Sequence, residues 1–91
     1  MSITIHMHIQ VKDFDDWKAV FDSAAVSRDR ADIHATPYKE LDDPNHVHVI
    51  ATSPSKEAFL AFFSNPELQE RLRESIVEGG APPEVTFLEE A

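Results

Sequence analysis

Ser2-Ile3-Thr4-Ile5-His6-Met7-His8-Ile9-Gln10-Val11 is the stretch whose reading decides the fold. It alternates without a break. Ile3, Ile5, Met7, Ile9 and Val11 fall on one face, and Thr4, His6, His8 and Gln10 on the other. Period-two alternation over this length is the pattern of a strand buried on one side. A strand facing bulk water would carry Lys, Glu and Thr on its second face. Two histidines stand there instead, so whatever that face looks into is expected to matter for function.

Working outward, Lys12-Asp13 breaks the alternation and the period changes. Phe14, Trp17, Phe21 and Ala24 recur at three- and four-residue spacing, which predicts one amphipathic helix from about Asp13 to Arg30. Asp13 is the expected N-cap, and acids in the first turn suit the positive end of the helix dipole. Trp17 and the two phenylalanines read as core at this spacing and not as an aromatic ligand box. Ile33 to Leu41 is a second extended segment, and Pro37, which cannot donate to a ladder, demotes it to an edge or bulged strand. Asp42-Asp43-Pro44-Asn45 is turn chemistry, and His46 to Thr52 is a third strand, so the two segments form a hairpin.

Ser53-Pro54 announces a helix with a cap residue and a proline at its first position, and Ala58, Phe59, Phe62 and Phe63 supply the apolar face. Asn65-Pro66 interrupts that helix, and Ser64-x-x-Glu67 reads as a capping box restarting it, with Leu68, Leu72 and Ile76 at four-residue spacing. Gly79-Gly80 ends the second piece, Pro82-Pro83 prevents continuation, and Glu84 to Glu90 is a final strand.

The 91 residues make one domain, spanning 1–91. A chain this size buries only about 60–65% of its unfolded surface. With no cysteine to supply disulfides or thiolate–metal sites, oligomerisation is the remaining common way to gain buried area. No apolar run approaches the roughly 20 residues needed to cross a bilayer, and a basic-then-apolar leader is absent, so a soluble, cytoplasmic protein with no membrane partner is expected. The net charge of −9 and scattered basic residues argue against nucleic acid. The acids of Asp13-Asp15-Asp16, Asp42-Asp43 and Glu89-Glu90 lack calcium-loop spacing and read as solvated loops.

Strand, helix, strand, strand, helix, strand is the order of a ferredoxin-like βαββαβ sandwich, an α+β fold with an antiparallel four-stranded sheet. The expected sheet order is four, one, three, two, with both helices on one face. The other face, carrying the histidines of strand one, Ile50 and part of strand four, would be bare in a monomer and covered by a partner.

The chain resembles the dimeric α+β barrel superfamily, the group that includes antibiotic-biosynthesis-type monooxygenases and small polyketide cyclases. The resemblance lies in Val11-Lys12-Asp13-Phe14-Asp15-Asp16-Trp17-Lys18-Ala19-Val20-Phe21, in Asp42-Asp43-Pro44-Asn45, in Asn65-Pro66-Glu67-Leu68, and in the ending from Gly79-Gly80-Ala81-Pro82-Pro83 to Glu89. These motifs form the fold and are not catalytic. The resemblance implies a homodimer whose protomers pack sheet to sheet with the histidine face turned inward. Members that oxygenate without a cofactor commonly place Asn and Trp in the cavity. Here the one Trp is at a core position, and His6 and His8 stand where strand one might have carried Asn. The related haem degraders bind iron through a histidine on a later helix, and no histidine follows His48, which argues against that activity.

All five histidines, His6, His8, His34, His46 and His48, fall in expected strands. His6-x-His8 puts two imidazoles on one face about 7 Å apart. His46-x-His48 repeats the pattern on strand three, taken as the parallel neighbour of strand one. If both pairs face the same way, four imidazoles converge in a manner suited to Zn²⁺, Ni²⁺ or Cu²⁺. Counting back through a four-residue turn pairs Leu41 with His46 and Lys39 with His48. That register sets His34, Thr36, Tyr38 and Glu40 on the helix side, whereas a bulge at Pro37 or a turn one residue longer or shorter reverses them. In this register no carboxylate is clearly placed to complete a metal site.

Three readings of the histidines stand: hydrogen-bonded polar residues of an interior, donors or a base in a small-molecule cavity, and a metal site. The candidate catalytic residues are His6, His8 and His48, with His34, Tyr38 and Ile50 as ligand contacts, and neither metal nor cofactor is assigned. The expected function is a homodimer binding a small apolar or aromatic molecule in a His-lined cavity, as a cofactor-independent monooxygenase or cyclase-like enzyme. The alternatives are a non-catalytic binding or interaction protein and a His-based transition-metal-binding protein.

Overall fold

The computed structural model describes residues 2–75 and 83–91. Its elements run β1 (Ile3–Gln10), α1 (Phe14–Ser23), α2 (Ala25–Arg30), β2 (His34–Lys39), β3 (His46–Ser53), α3 (Lys56–Phe63), α4 (Pro66–Ser75) and β4 (Glu84–Leu88). The four strands form one sheet in the order β2-β3-β1-β4, the expected ferredoxin-like arrangement. Every pairing is antiparallel, including β1 with β3. The expectation that β1 and β3 run parallel is therefore corrected. The hairpin reverses the chain after β2, and β3 inserts between β1 and β2, antiparallel to both.

The apolar face of β1 seals the core as its alternation requires. Ile5, Met7, Ile9 and Val11 are buried together with Val47, Val49 and Ala51 of β3, and Trp17, Ile33 and Phe59 close over them. Burying side chains of this size is worth about 1.5–3 kcal/mol each. The sheet and helix layers are thus fixed to one another through these residues.

The long first helix is in fact two. At Ala24 (φ −93°, ψ 4°) the backbone leaves helical geometry. Ala24 N–H turns to Phe21 O at 3.2 Å, and the Arg28 guanidinium donates to that same carbonyl at 2.6 Å. Asp13 caps α1 as expected, accepting from Asp16 N–H at 3.0 Å. The two other caps lie elsewhere. Ser55, not Ser53, caps α3 by accepting from Ala58 N–H at 3.1 Å, while the buried Ser53 hydroxyl donates to Ser55 O. Asn65 caps α4, its Oδ1 accepting from Glu67 N–H at 2.9 Å, and Ser64 instead donates to Ala61 O at the end of α3. Pro66 then occupies the first position of α4, where its missing N–H costs nothing. The readings placed on Ile76, Gly79-Gly80 and Pro82 lie outside the described residues.

Pro37 sits in the edge strand, and β2 pairs with β3 through it without a bulge, Pro37 opposite Val49. Tyr38 lies opposite His48 and Lys39 opposite Val47, with Glu40 N–H donating to His46 O at 3.0 Å. The loop is one residue longer than the counted turn. The helix-side placement of His34, Thr36, Tyr38 and Glu40 is corrected accordingly: a one-residue change of register moves the whole set to the histidine face. Among the described residues no helix is long and apolar enough to cross a membrane.

Candidate functional site

The face of the sheet away from the helices carries Thr4, His6, His8 and Gln10 of β1, His46, His48, Ile50 and Thr52 of β3, the even-numbered residues of β2, and Glu84, Thr86 and Leu88 of β4. His8 stands directly opposite His48. The imidazoles nevertheless bond along the diagonals. His6 Nε2 is 3.0 Å from His48 Nδ1, and His8 Nε2 is 3.0 Å from His46 Nδ1. Each bonded pair is nearly coplanar, with interplanar angles of 9° and 13°, and the two pairs lie over one another where His8 stacks on His48 at 4.7 Å.

A carboxylate stands near the end of each pair. His48 Nε2 is 2.8 Å from Glu40 Oε2, and His46 Nε2 is 3.4 Å from Asp43 Oδ2. An ionised carboxylate only accepts, so His48 carries its proton on Nε2 and offers Nδ1 as acceptor to His6 Nε2–H. The Asp43–His46 approach at 3.4 Å is an ion-pair contact and not a hydrogen bond, so it sets no direction on the bond between His46 and His8. One hydrogen-bonded carboxylate–imidazole–imidazole row, Glu40–His48–His6, thus crosses the sheet, and the His46–His8 pair lies beside it with Asp43 near its end. All four imidazoles are half-buried, and Glu40 and Asp43 are exposed.

The expected site residues divide. His6, His8 and His48 come together, joined by His46. Ile50 and Tyr38 share the face as exposed apolar neighbours. His34 lies apart, 3.2 Å from Asp32, and borders with Ile50 a groove of about 410 Å³ along the β2 edge. Glu40 and Asp43 were missed as partners of the array, and the signal that would have found them was the length of the hairpin loop.

On the opposite side of the sheet an apolar cavity of about 60 Å³ lies between sheet and helices, lined by Met7, Trp17, Phe21, Arg28, Phe59 and Phe63 among others. No histidine borders it. Trp17 Nε1 is a buried donor without an acceptor among the described residues. The Arg28 guanidinium lies 3.9 Å over the Phe21 ring, and burial holds it below its ordinary value against the opposing pull of Asp22 and Asp29. This volume is far below the roughly 300–1,000 Å³ of organic-ligand pockets.

No protein-family model matches the chain, and comparison with curated protein sequences gives no match. Solved structures do match. SnoaB from Streptomyces nogalater, a cofactor-independent oxygenase, superposes with a TM-score of 0.80 at 19% identity, over 99% of this chain and 93% of that one. A Bordetella bronchiseptica protein described as an antibiotic biosynthesis monooxygenase gives 0.79 at 18% identity, over 99% and 97%. A conserved protein from Methanosarcina mazei gives 0.78 at 14% identity, over 100% and 94%. The chain has an α+β ferredoxin-like fold. Within that class, its fold is the one shared by antibiotic-biosynthesis-monooxygenase-like proteins, as the motifs in Val11–Phe21 and Asn65–Leu68 implied.

Proposed function

We propose that the protein is a homodimer that encloses a small apolar or aromatic molecule against the histidine face of its sheet and acts on it with monooxygenase- or cyclase-type chemistry, without an organic cofactor. The observation that carries this reading is the carboxylate–imidazole–imidazole row Glu40–His48–His6, with the His46–His8 pair stacked beside it. A carboxylate that fixes the tautomer of one imidazole, which in turn orients a second, is the arrangement that prepares a general base. His6 and His8 are the bases, His48 the positioning residue behind His6, and His34, Tyr38 and Ile50 the surrounding contacts. The chemistry is proton abstraction from a phenolic O–H or an activated C–H of the bound molecule, with the proton held on the imidazole. The resulting anion is the species that adds to dioxygen or to a carbonyl of the same molecule. Support from relatives comes from fold alone, and fold does not fix function.

The test is binding and turnover of a panel of polycyclic phenols by wild type, His6→Ala and His8→Ala, with the oligomeric state measured alongside. Loss of turnover by at least a hundredfold in an intact dimer supports the reading. Turnover unchanged in both variants, or no phenol bound by wild type, overturns it.

A further inference from the structure

From the geometry we infer that His8, His46 and Glu40 form a binding site for one divalent first-row transition ion per chain. Their donor atoms all lie within 4.8 Å of one another. Two imidazole nitrogens bound to one ion at about 2.0–2.1 Å each, at tetrahedral or right angles, sit about 2.9–3.4 Å apart. His8 Nε2 and His46 Nδ1 are already 3.0 Å apart. An ion held by both sits about 1.4 Å off the line between the two nitrogens, so each ring turns about its side-chain bonds while the strands stay in place, and the proton of His8 passes from Nε2 to Nδ1 through solvent, leaving a neutral ligand. Glu40 Oε2 is 4.0 Å from His8 Nε2 and the three donors spread over 4.8 Å, so the carboxylate must close by about 1–1.5 Å to coordinate. Its side chain is exposed, and the bond to His48 moves with it.

Three more features favour the ion. His48 donates to Glu40 Oε2 at 2.8 Å, the kind of outer hydrogen bond that orients a ligating carboxylate. Two imidazoles and one carboxylate are a ligand set for Zn²⁺, Co²⁺, Ni²⁺ or Fe²⁺, and they leave coordination positions open to water or a ligand. The net charge of −9 raises the local concentration of cations. The carboxylate that sequence reasoning lacked is supplied by the hairpin register. This site requires neither the dimer nor an organic ligand, but it takes up His8, so with the ion bound His6 is the base left for the function proposed above.

The experiment uses the untagged full chain, stripped with chelator and titrated with Co²⁺ or Zn²⁺ alone. Bound ion is counted by elemental analysis and native mass spectrometry, and Co²⁺ is also followed by its visible ligand-field bands. The expected result is one ion per chain, with a four- or five-coordinate Co²⁺ spectrum. Glu40→Gln should weaken binding at least tenfold, and His8→Ala and His46→Gln more, while His34→Ala leaves it unchanged. Each variant's circular dichroism reports folding, and where His8→Ala fails to fold, Glu40→Gln and His46→Gln carry the comparison. No ion retained by wild type, or equal binding in Glu40→Gln and wild type, overturns the site. A wild type that binds a phenol but no metal overturns this inference and leaves the proposed function standing, and the converse result does the opposite.

Discussion

Glu40 Oε2 lies 2.8 Å from His48 Nε2, linking the residue just past the edge strand β2 to the centre of the sheet. Through His48 the contact reaches His6 on β1, so one diagonal ties three strands together. The diagonal exists because the hairpin register turns Glu40 to the histidine face.

Glu40→Gln removes the charge that selects the proton position on His48. Nitrogen-15 imidazole spectra of wild type should show His48 and His6 as Nε2–H tautomers, and the variant should lose that single-tautomer pattern at His48. Stability should change by less than about 1 kcal/mol, since an exposed ion pair contributes little. Unchanged tautomer populations in the variant would rule out the direction assigned to this row.

Asn65→Ala should destabilise the chain by about 1 kcal/mol, because two amide hydrogens at the start of α4 lose their acceptor. Ser64→Ala should fall within about 0.5 kcal/mol of wild type, as its hydroxyl only bonds back within α3. Urea unfolding midpoints measure both. The reverse order of effects would restore Ser64 as the cap.

Those two caps show how far local pattern carries. The alternation of Ser2–Val11, the stripe from Phe14 to Ala24 and the element order were legible because period and topology are set by burial, which every residue of a strand or helix reports. Choosing among Ser53, Ser55, Ser64 and Asn65 was not, since adjacent polar residues compete for the same orphan amides and only backbone geometry decides. The array was half legible. His6 with His8 and His46 with His48 announce themselves by alternation within one strand. Glu40 and Asp43 join them only through the loop length, a quantity that a one-residue error inverts.

Trp17 separates packing from polarity. Trp17→Phe removes the buried Nε1–H that lacks an acceptor while keeping most of the ring's contacts with Phe14 and Phe21. The lost volume and the relieved donor act in opposite directions, so a net change below about 1.5 kcal/mol is expected. Trp17→Ala should cost about 3–5 kcal/mol. If Trp17→Phe costs as much as Trp17→Ala, then the indole N–H has a partner and the cavity beside it is not purely apolar.

Ile50→Glu tests the sheet face as a dimer contact. Ile50, Tyr38 and Leu88 are 40%, 55% and 46% exposed on the face that also carries the half-buried imidazoles. These exposed apolar side chains beside half-buried imidazoles are what the proposed dimer would cover. In a twofold dimer the same patch meets itself, so one glutamate per chain brings two charges into a shared low-dielectric contact. The helix-side core does not include Ile50, so the protomer should keep its fold and its circular dichroism. Sedimentation velocity at micromolar concentration should find wild type dimeric and Ile50→Glu at least tenfold weaker in association, with Val26→Glu, an exposed change on α2, as the neutral control. A monomeric wild type, or an Ile50→Glu dimer as tight as wild type, would show that the histidine face opens to solvent in the working protein.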